Sequence, residues 1–155
     1  FFNKNYNKEE RKLKLKLFKE DLKIGILTVH PNMHSSEVSM FKNFDGLIVQ
    51  GTGLGHIPVE GKNQEILNEL KKLKMPKVII TQCIFGNVNL NVYSTGRKIK
   101  DCLIGNNLDL TLETAFIKLA WLLSNHPKEI EKIFNINLRN EINERLIAEN
   151  DFLGI

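Results

Sequence analysis

The stretch FDGLIVQGTGLGHIP, residues 44–58, decides the fold. Its first half contains Gly46-Leu47-Ile48-Val49, apolar without alternation. That is the pattern of a strand covered on both faces, as in a parallel sheet. The run empties into Gly51, Gly53 and Gly55, followed by His56 and Pro58. Such a loop marks a place where backbone and something else come close. The spacing is not G-x-G-x-x-G, because the third glycine comes one position early, and no acidic residue of the expected kind closes a dinucleotide unit about 20 residues on, where Leu70 to Leu73 form an apolar helix face. Two readings stay open: a tight turn whose glycines take positive φ, or a loop that receives a ligand.

Outward from this stretch the same kind of run recurs. KIGILTVHP gives an earlier buried strand over residues 24–29, and KVIITQC a later one over residues 77–83. Between the first two strands, Ser35-Ser36 with Glu37 caps a short helix through Phe41. Between the second and third, NQEILNELKKLK, residues 63–74, sets Ile66, Leu67, Leu70 and Leu73 at helical spacing, with Pro76 as the stop. DLTLETAFIKLAWLL, residues 109–123, is the strongest helix, capped by Asp109 or Thr111. Pro127 opens a further helix, PKEIEKIF. KLKLKLFK, residues 12–19, alternates strictly and predicts a half-buried strand with its lysines on the wet face; a basic nucleic-acid-binding arm is the competing reading. The order of elements predicts an α/β fold, a three-layer sandwich with a short, mostly parallel sheet. Ligands bind such sheets outside the carboxyl ends of the strands. Both glycine-bearing loops, residues 51–58 and 84–96, fall at that edge.

Composition bounds the function. The 155 residues fit one domain with its own core, and 42% hydrophobic with 26% charged residues is ordinary for a globular protein. The net charge of +4 permits an acidic partner such as RNA without demanding one. No apolar run is long enough to span a bilayer, and the start carries no signal-peptide pattern. The first residue is Phe, so the sequence reads as a fragment or processed piece. Cys83 and Cys102 have no metal spacing and are expected to be free, buried thiols in a reducing, intracellular compartment.

The later loop, TQCIFGNVNLNVYSTGRK, gathers Gln82, Asn87, Asn89, Asn91, Tyr93, Ser94, Thr95 and Arg97. Were the segment extended, Asn89, Asn91 and Tyr93 would share one side. Neutral amides and hydroxyls suit a polar uncharged ligand, a close backbone contact or a wet subunit interface. Hydrolysis needs a nucleophile, a base and an oxyanion site. No G-x-S-x-G elbow is present, and of His30, His34, His56 and His126 only His56 lies in either loop. No catalytic residue, metal site or bound cofactor is expected in this chain.

The segments FDGLIVQGTGLGHIP, PKVIITQCIFGNVNLNVYSTGRK and DLTLETAFIKLAWLL together resemble the C-terminal domain of the asparaginase family. Within it the chain looks like the D-type subunit of archaeal glutamyl-tRNA(Gln) amidotransferases, a likeness that NLRNEINERL near the C-terminus extends. At Asn140 that subunit usually has a glycine. The resemblance implies a domain over residues 21–155, preceded over residues 1–20 by a linker or edge strand from a missing N-terminal domain. That domain would carry the nucleophilic threonine in a GGTI turn, a second threonine in a TDT stretch, and a lysine; neither motif occurs here. It also implies a homodimer in which Thr52, Gly53, Gly55, His56, Asn89, Asn91 and Tyr93 reach a neighbouring subunit's substrate. Bacterial asparaginases place an Asn near the position of His56. As part of an amidotransferase, the chain would serve a cytoplasmic ligase of protein biosynthesis. Glutamine would be the ammonia source, and a tRNA-binding partner subunit of the E type would use ATP and Mg on Glu-tRNA(Gln). A type I L-asparaginase half and a non-catalytic dimerisation remnant are the alternatives.

Overall fold

The structure, a computed structural model, describes residues 14–143. In chain order the elements are β1 (Ile24–Thr28), α1 (Ser35–Ser39), β2 (Gly46–Gly51), α2 (Gln64–Lys72), β3 (Lys77–Thr81), α3 (Ser94–Ile99), α4 (Leu112–Asn125) and α5 (Ile130–Phe134). The strands form one 3-stranded parallel sheet in the order β1-β2-β3. Ile26 stands beside Ile48, and Val49 beside Ile79.

Alternation along the strands divides the core in two. Leu27, Leu47, Val49 and Ile79 pack with Val38 of α1, Ile66, Leu67 and Leu70 of α2, and Ile99 of α3. Ile48, Val78 and Ile80 point the other way, onto Ala115, Leu119 and Leu122 of α4 and Ile130 and Phe134 of α5. The crossovers α1 and α2 therefore lie on one face and α4 on the other, which is the three-layer α/β arrangement expected. At β3, Lys77 donates from Nζ to the Leu73 carbonyl at 2.7 Å, tying the end of α2 to the strand that follows. The far edge of β3 is covered where Ile104 pairs with it, through Ile79 N–H to Ile104 O at 2.7 Å and Ile104 N–H to Lys77 O at 2.8 Å.

Several local expectations give way. Among the described residues β1 has a strand neighbour on one edge only: Ile26 is 41% exposed and Thr28 is exposed, because α4 packs mainly on β2 and β3. Residues 14–19 form no ladder, and Leu15 and Leu17 stand exposed, so alternation there marks no buried face. The remainder of the expected N-terminal linker, residues 1–13, lies outside the described residues. The N-cap of α1 is His34, not Ser35 or Ser36; the Glu37 carboxylate accepts the His34 N–H at 2.7 Å. Pro127 sits in a turn, and α5 begins at Ile130. Cys83 is exposed and Cys102 half-buried, both free.

After α5 the chain folds back onto α4. Lys118, 6% exposed, donates to Ile136 O at 2.7 Å and to Glu141 Oε1 at 2.6 Å. Glu141 also accepts the Leu138 N–H at 3.0 Å and the Arg139 N–H. The turn between is made by Asn140 at φ +61°, where glycine is easiest and Asn is among the best-tolerated alternatives. Burial alone would raise the Glu141 pKa; the Lys118 ammonium and the backbone N–H groups outweigh it and bring the carboxyl down to about 2.

This latch has a pH signature. The unfolded carboxyl gains its proton near its ordinary 4.5, the folded one only at about 2. Between those values the unfolded state binds more protons, so stability is complete above 4.5 and falls as pH drops toward 2. The amount is on the order of 2–3 kcal/mol. Glu141→Gln should flatten this acid limb in chemical denaturation. Lys118→Met should cost about 3–5 kcal/mol by stranding the carboxylate, and adding Glu141→Gln to it should recover a large part.

Candidate functional site

β2 delivers Gly51 to the carboxyl edge of the sheet, and residues 52–56 fold straight back over it. Thr52 N–H donates to His56 O at 3.1 Å, and His56 N–H to Thr52 O at 2.8 Å, closing a one-rung antiparallel bridge. A Cβ on Gly51 would lie 2.5 Å from the Gly55 carbonyl carbon. Gly55 holds φ +95°, and a Cβ there would lie 2.9 Å from Cγ1 of Val88. What comes close to these glycines is thus the loop's own backbone and the neighbouring loop. Gly53, at φ +52°, faces open space.

The ends of β1 and β3 clamp this hairpin. Thr81 Oγ1 donates to Gly53 O and accepts the Cys83 N–H at 3.0 Å. The Gln82 side-chain amide donates to Val29 O at 2.7 Å and to Gln50 O at 2.8 Å, binding the three strand ends together. The two loops are stitched by Asn89 N–H to Leu54 O at 2.9 Å. Below them, Glu60 accepts from Lys98 Nζ at 2.7 Å and Ser94 Oγ at 3.2 Å; the Lys98 ammonium, then the Ser94 hydroxyl, hold its carboxyl below the ordinary value.

The polar loop is not extended. Asn89 Oδ1 accepts the Asn91 N–H at 3.1 Å, an Asx turn that bends the chain. α3 then starts at Ser94, a helix the sequence did not announce because its short STGRKI run carries a glycine and little apolar periodicity. Asn89, Asn91 and Tyr93 therefore do not share one side. Asn91 turns toward α3, its Oδ1 taking Lys100 Nζ at 2.9 Å and its carbonyl taking Arg97 Nη1 at 3.0 Å. Most of the polar set maintains the loop itself.

Two side chains stand apart from that role. The Tyr93 ring, half exposed, meets the His56 ring edge-to-face with centroids 4.5 Å apart. His56 Nε2 is buried and has no hydrogen-bond partner among the described residues. Buried polar nitrogens are normally paired, so an orphan of this kind points to a missing partner. Thr52, Gly53, Gly55, His56, Asn89 and Tyr93 are brought to one edge; Asn91 is drawn off toward α3. No cluster of three or more His, Cys, Asp or Glu that could hold a metal occurs among the described residues. Thr81 and Gln82 do the clamping, a role that nothing in the residue types of TQC singles out.

Residues 23–134 match the family described as Glutaminase/Asparaginase C-terminal domain. The chain belongs to that family. It is 35% identical over 153 residues to the D-type subunit of glutamyl-tRNA(Gln) amidotransferase from Methanobrevibacter smithii, covering 92% of this chain and 34% of the relative. It is 32% identical over 157 residues to the corresponding subunit of Thermoplasma volcanium, covering 98% and 37%. The chain thus spans about a third of the length of these relatives. Among solved structures it is similar to the thermostable L-asparaginase of Thermococcus kodakarensis, at 28% identity and TM-score 0.72 over 79% of this chain and 38% of that one. It is similar likewise to L-asparaginase I of Vibrio cholerae, at 27% identity and TM-score 0.76 over 88% and 42%. The expected family membership and fold stand.

The glycines of this family member should respond unequally to alanine. Gly55→Ala combines a disallowed φ with a clash and should cost about 2–4 kcal/mol. Gly53→Ala meets nothing and should cost only about 1–2 kcal/mol for its φ. Urea unfolding of both variants gives the comparison.

Proposed function

We propose that this chain is the C-terminal half of the glutaminase subunit of a Glu-tRNA(Gln) amidotransferase. The complete subunit would hydrolyse the glutamine side-chain amide through a threonyl acyl-enzyme. Its ammonia would pass to a tRNA-binding partner that uses ATP and Mg to convert Glu-tRNA(Gln) to Gln-tRNA(Gln). The role of this half would be to present the residue 52–56 hairpin and Tyr93 to the active site of a neighbouring subunit in a homodimer.

The observation that carries the reading is where the likeness ends. The family match stops at residue 134, whereas the alignments to the D-type amidotransferase subunits cover 92% and 98% of the chain. The described part of the extra stretch, residues 135–143, packs back on α4, held by Glu141 on Lys118 and by Asn140 in the turn. The orphan His56 Nε2 supports a site completed from outside this half. A type I L-asparaginase half is the second reading, favoured by the likeness to the two solved L-asparaginases.

Joining this chain to an N-terminal half that carries GGTI and TDT separates them. Ammonia release from glutamine, raised by the tRNA-binding partner with Glu-tRNA(Gln), is the expected result. Preference for asparagine without a tRNA effect would select the second reading, and halves that never associate would leave only the remnant. The chain alone should release no ammonia from either amide at an ordinary enzyme rate of about 1 per second.

In the joined enzyme, His56→Ala should lower kcat/KM for glutamine by about 5- to 150-fold, the worth of one substrate-site hydrogen bond of about 1–3 kcal/mol. Because Nε2 has no partner among the described residues, the substitution removes no hydrogen bond of that ring nitrogen within the fold. Its melting temperature should fall only by the loss of packing on Tyr93. A large drop in melting temperature with unchanged kcat/KM would take His56 out of the site.

A further inference from the structure

We propose that His126 is a pH-sensitive latch. Neutral, it holds residues 14–19 on the C-terminal end of α4; protonated, it releases them. The latch is independent of the proposed function, since it lies at the opposite end of α4 from the N-cap Thr111 and uses none of the loop residues above.

The geometry is that of one position contested by two cations. Lys16 Nζ lies 2.8 Å from His126 Nε2. An ammonium has donors only, so the imidazole nitrogen must supply the lone pair and be unprotonated. The proton of the neutral ring then sits on Nδ1, facing Glu129 Oε2 at 3.6 Å. The same Lys16 ammonium stands 4.9 Å from the centroid of Trp121, whose ring is 5.0 Å from that of His126. Lys16 is thus held by an imidazole lone pair and an aromatic face together. His126 is the C-cap of α4, where the unpaired carbonyls favour one positive charge.

Among the described residues, the charged groups seen to face His126 are Lys16, from the arm, and Glu129, from the turn before α5. α4 presents Trp121, which does not titrate. Protonation at Nε2 would set an N–H⁺ against the Lys16 ammonium. It would end the hydrogen bond and replace it with repulsion, while strengthening the attraction to Glu129. The imidazolium then takes the place at the helix end that Lys16 held. Among the described residues, what then holds the arm besides Lys16 on the Trp121 ring is the Lys19 N–H donating to Ser124 Oγ at 3.0 Å and Asn125 Nδ2 donating to the Leu17 carbonyl at 3.3 Å. The six freed residues, 14–19, span at most about 20 Å when extended.

The test is NMR on the full chain between pH 8 and 5. It follows the His126 ring protons, the amide heteronuclear NOEs of residues 15–19, and the fluorescence of Trp121, the only tryptophan. The expected result is arm NOEs as high as those of α4 at pH 8, collapsing at pH 5 with the midpoint of the His126 titration. His126→Gln keeps a carbonyl acceptor for Lys16 and cannot titrate, so its arm should stay ordered at both pH values. Lys16→Met should free the arm throughout. Arm order that ignores the His126 titration, or an acid release retained in His126→Gln, would overturn the proposal.

Discussion

The structure depends on the enclosure of β2. It has a parallel neighbour on each edge and a helical layer on each face, so Leu47, Ile48 and Val49 are fully buried. A strand with every direction filled cannot end gradually; it must turn within a residue or two to stay clear of its neighbours. Gly51 and Gly55 make that turn possible, since a side chain on either would strike the loop backbone or Val88. The hairpin's rigidity is therefore a consequence of core packing. The Thr81 and Gln82 contacts extend it to the other two strands, with Gln82 donating to carbonyls at the ends of β1 and β2.

Burial of a continuous apolar run was legible without coordinates because it is a local property of sequence. Residues 46–49 and 77–80 announce strands, residues 63–74 and 109–123 helices, and their order leaves little freedom of topology. β1 has an equally apolar run, yet Ile26 is partly exposed. Nothing in those residues says which strand lies at the edge, since that is settled by where α4 docks. The alternation at residues 12–19 failed for a related reason. A period of two is satisfied by any extended segment, and here residues 14–19, the described part, lie along a helix end and leave Leu15 and Leu17 in solvent.

The candidate site was legible in position but not in orientation. The rule that ligands sit outside the carboxyl ends of strands located both loops. It could not foresee that Asn89 would commit its Oδ1 to the Asn91 N–H and thereby turn Asn91 toward Lys100. Asn140 shows the reverse case. The resemblance placed a glycine position there, and the positive φ of the residue explains why glycine suits it and why asparagine is an acceptable substitute.

The distribution of hydrogen bonds across the loops constrains what they are for. A loop built to grip a ligand alone would keep several amides uncommitted. Here Gln82, Asn89, Asn91 and Asn106 all serve backbone or neighbouring side chains. The buried nitrogen of His56 has no partner among the described residues, and the Tyr93 ring beside it is half exposed. One orphan acceptor or donor next to an exposed ring is too little to select a small molecule, because discrimination needs several buried polar groups that a wrong ligand leaves unpaired. It is sufficient as one contribution to a surface whose other polar groups come from elsewhere. Stiffness in the loop then has a purpose, because a residue that must meet a separately folded surface gains from having its position fixed beforehand.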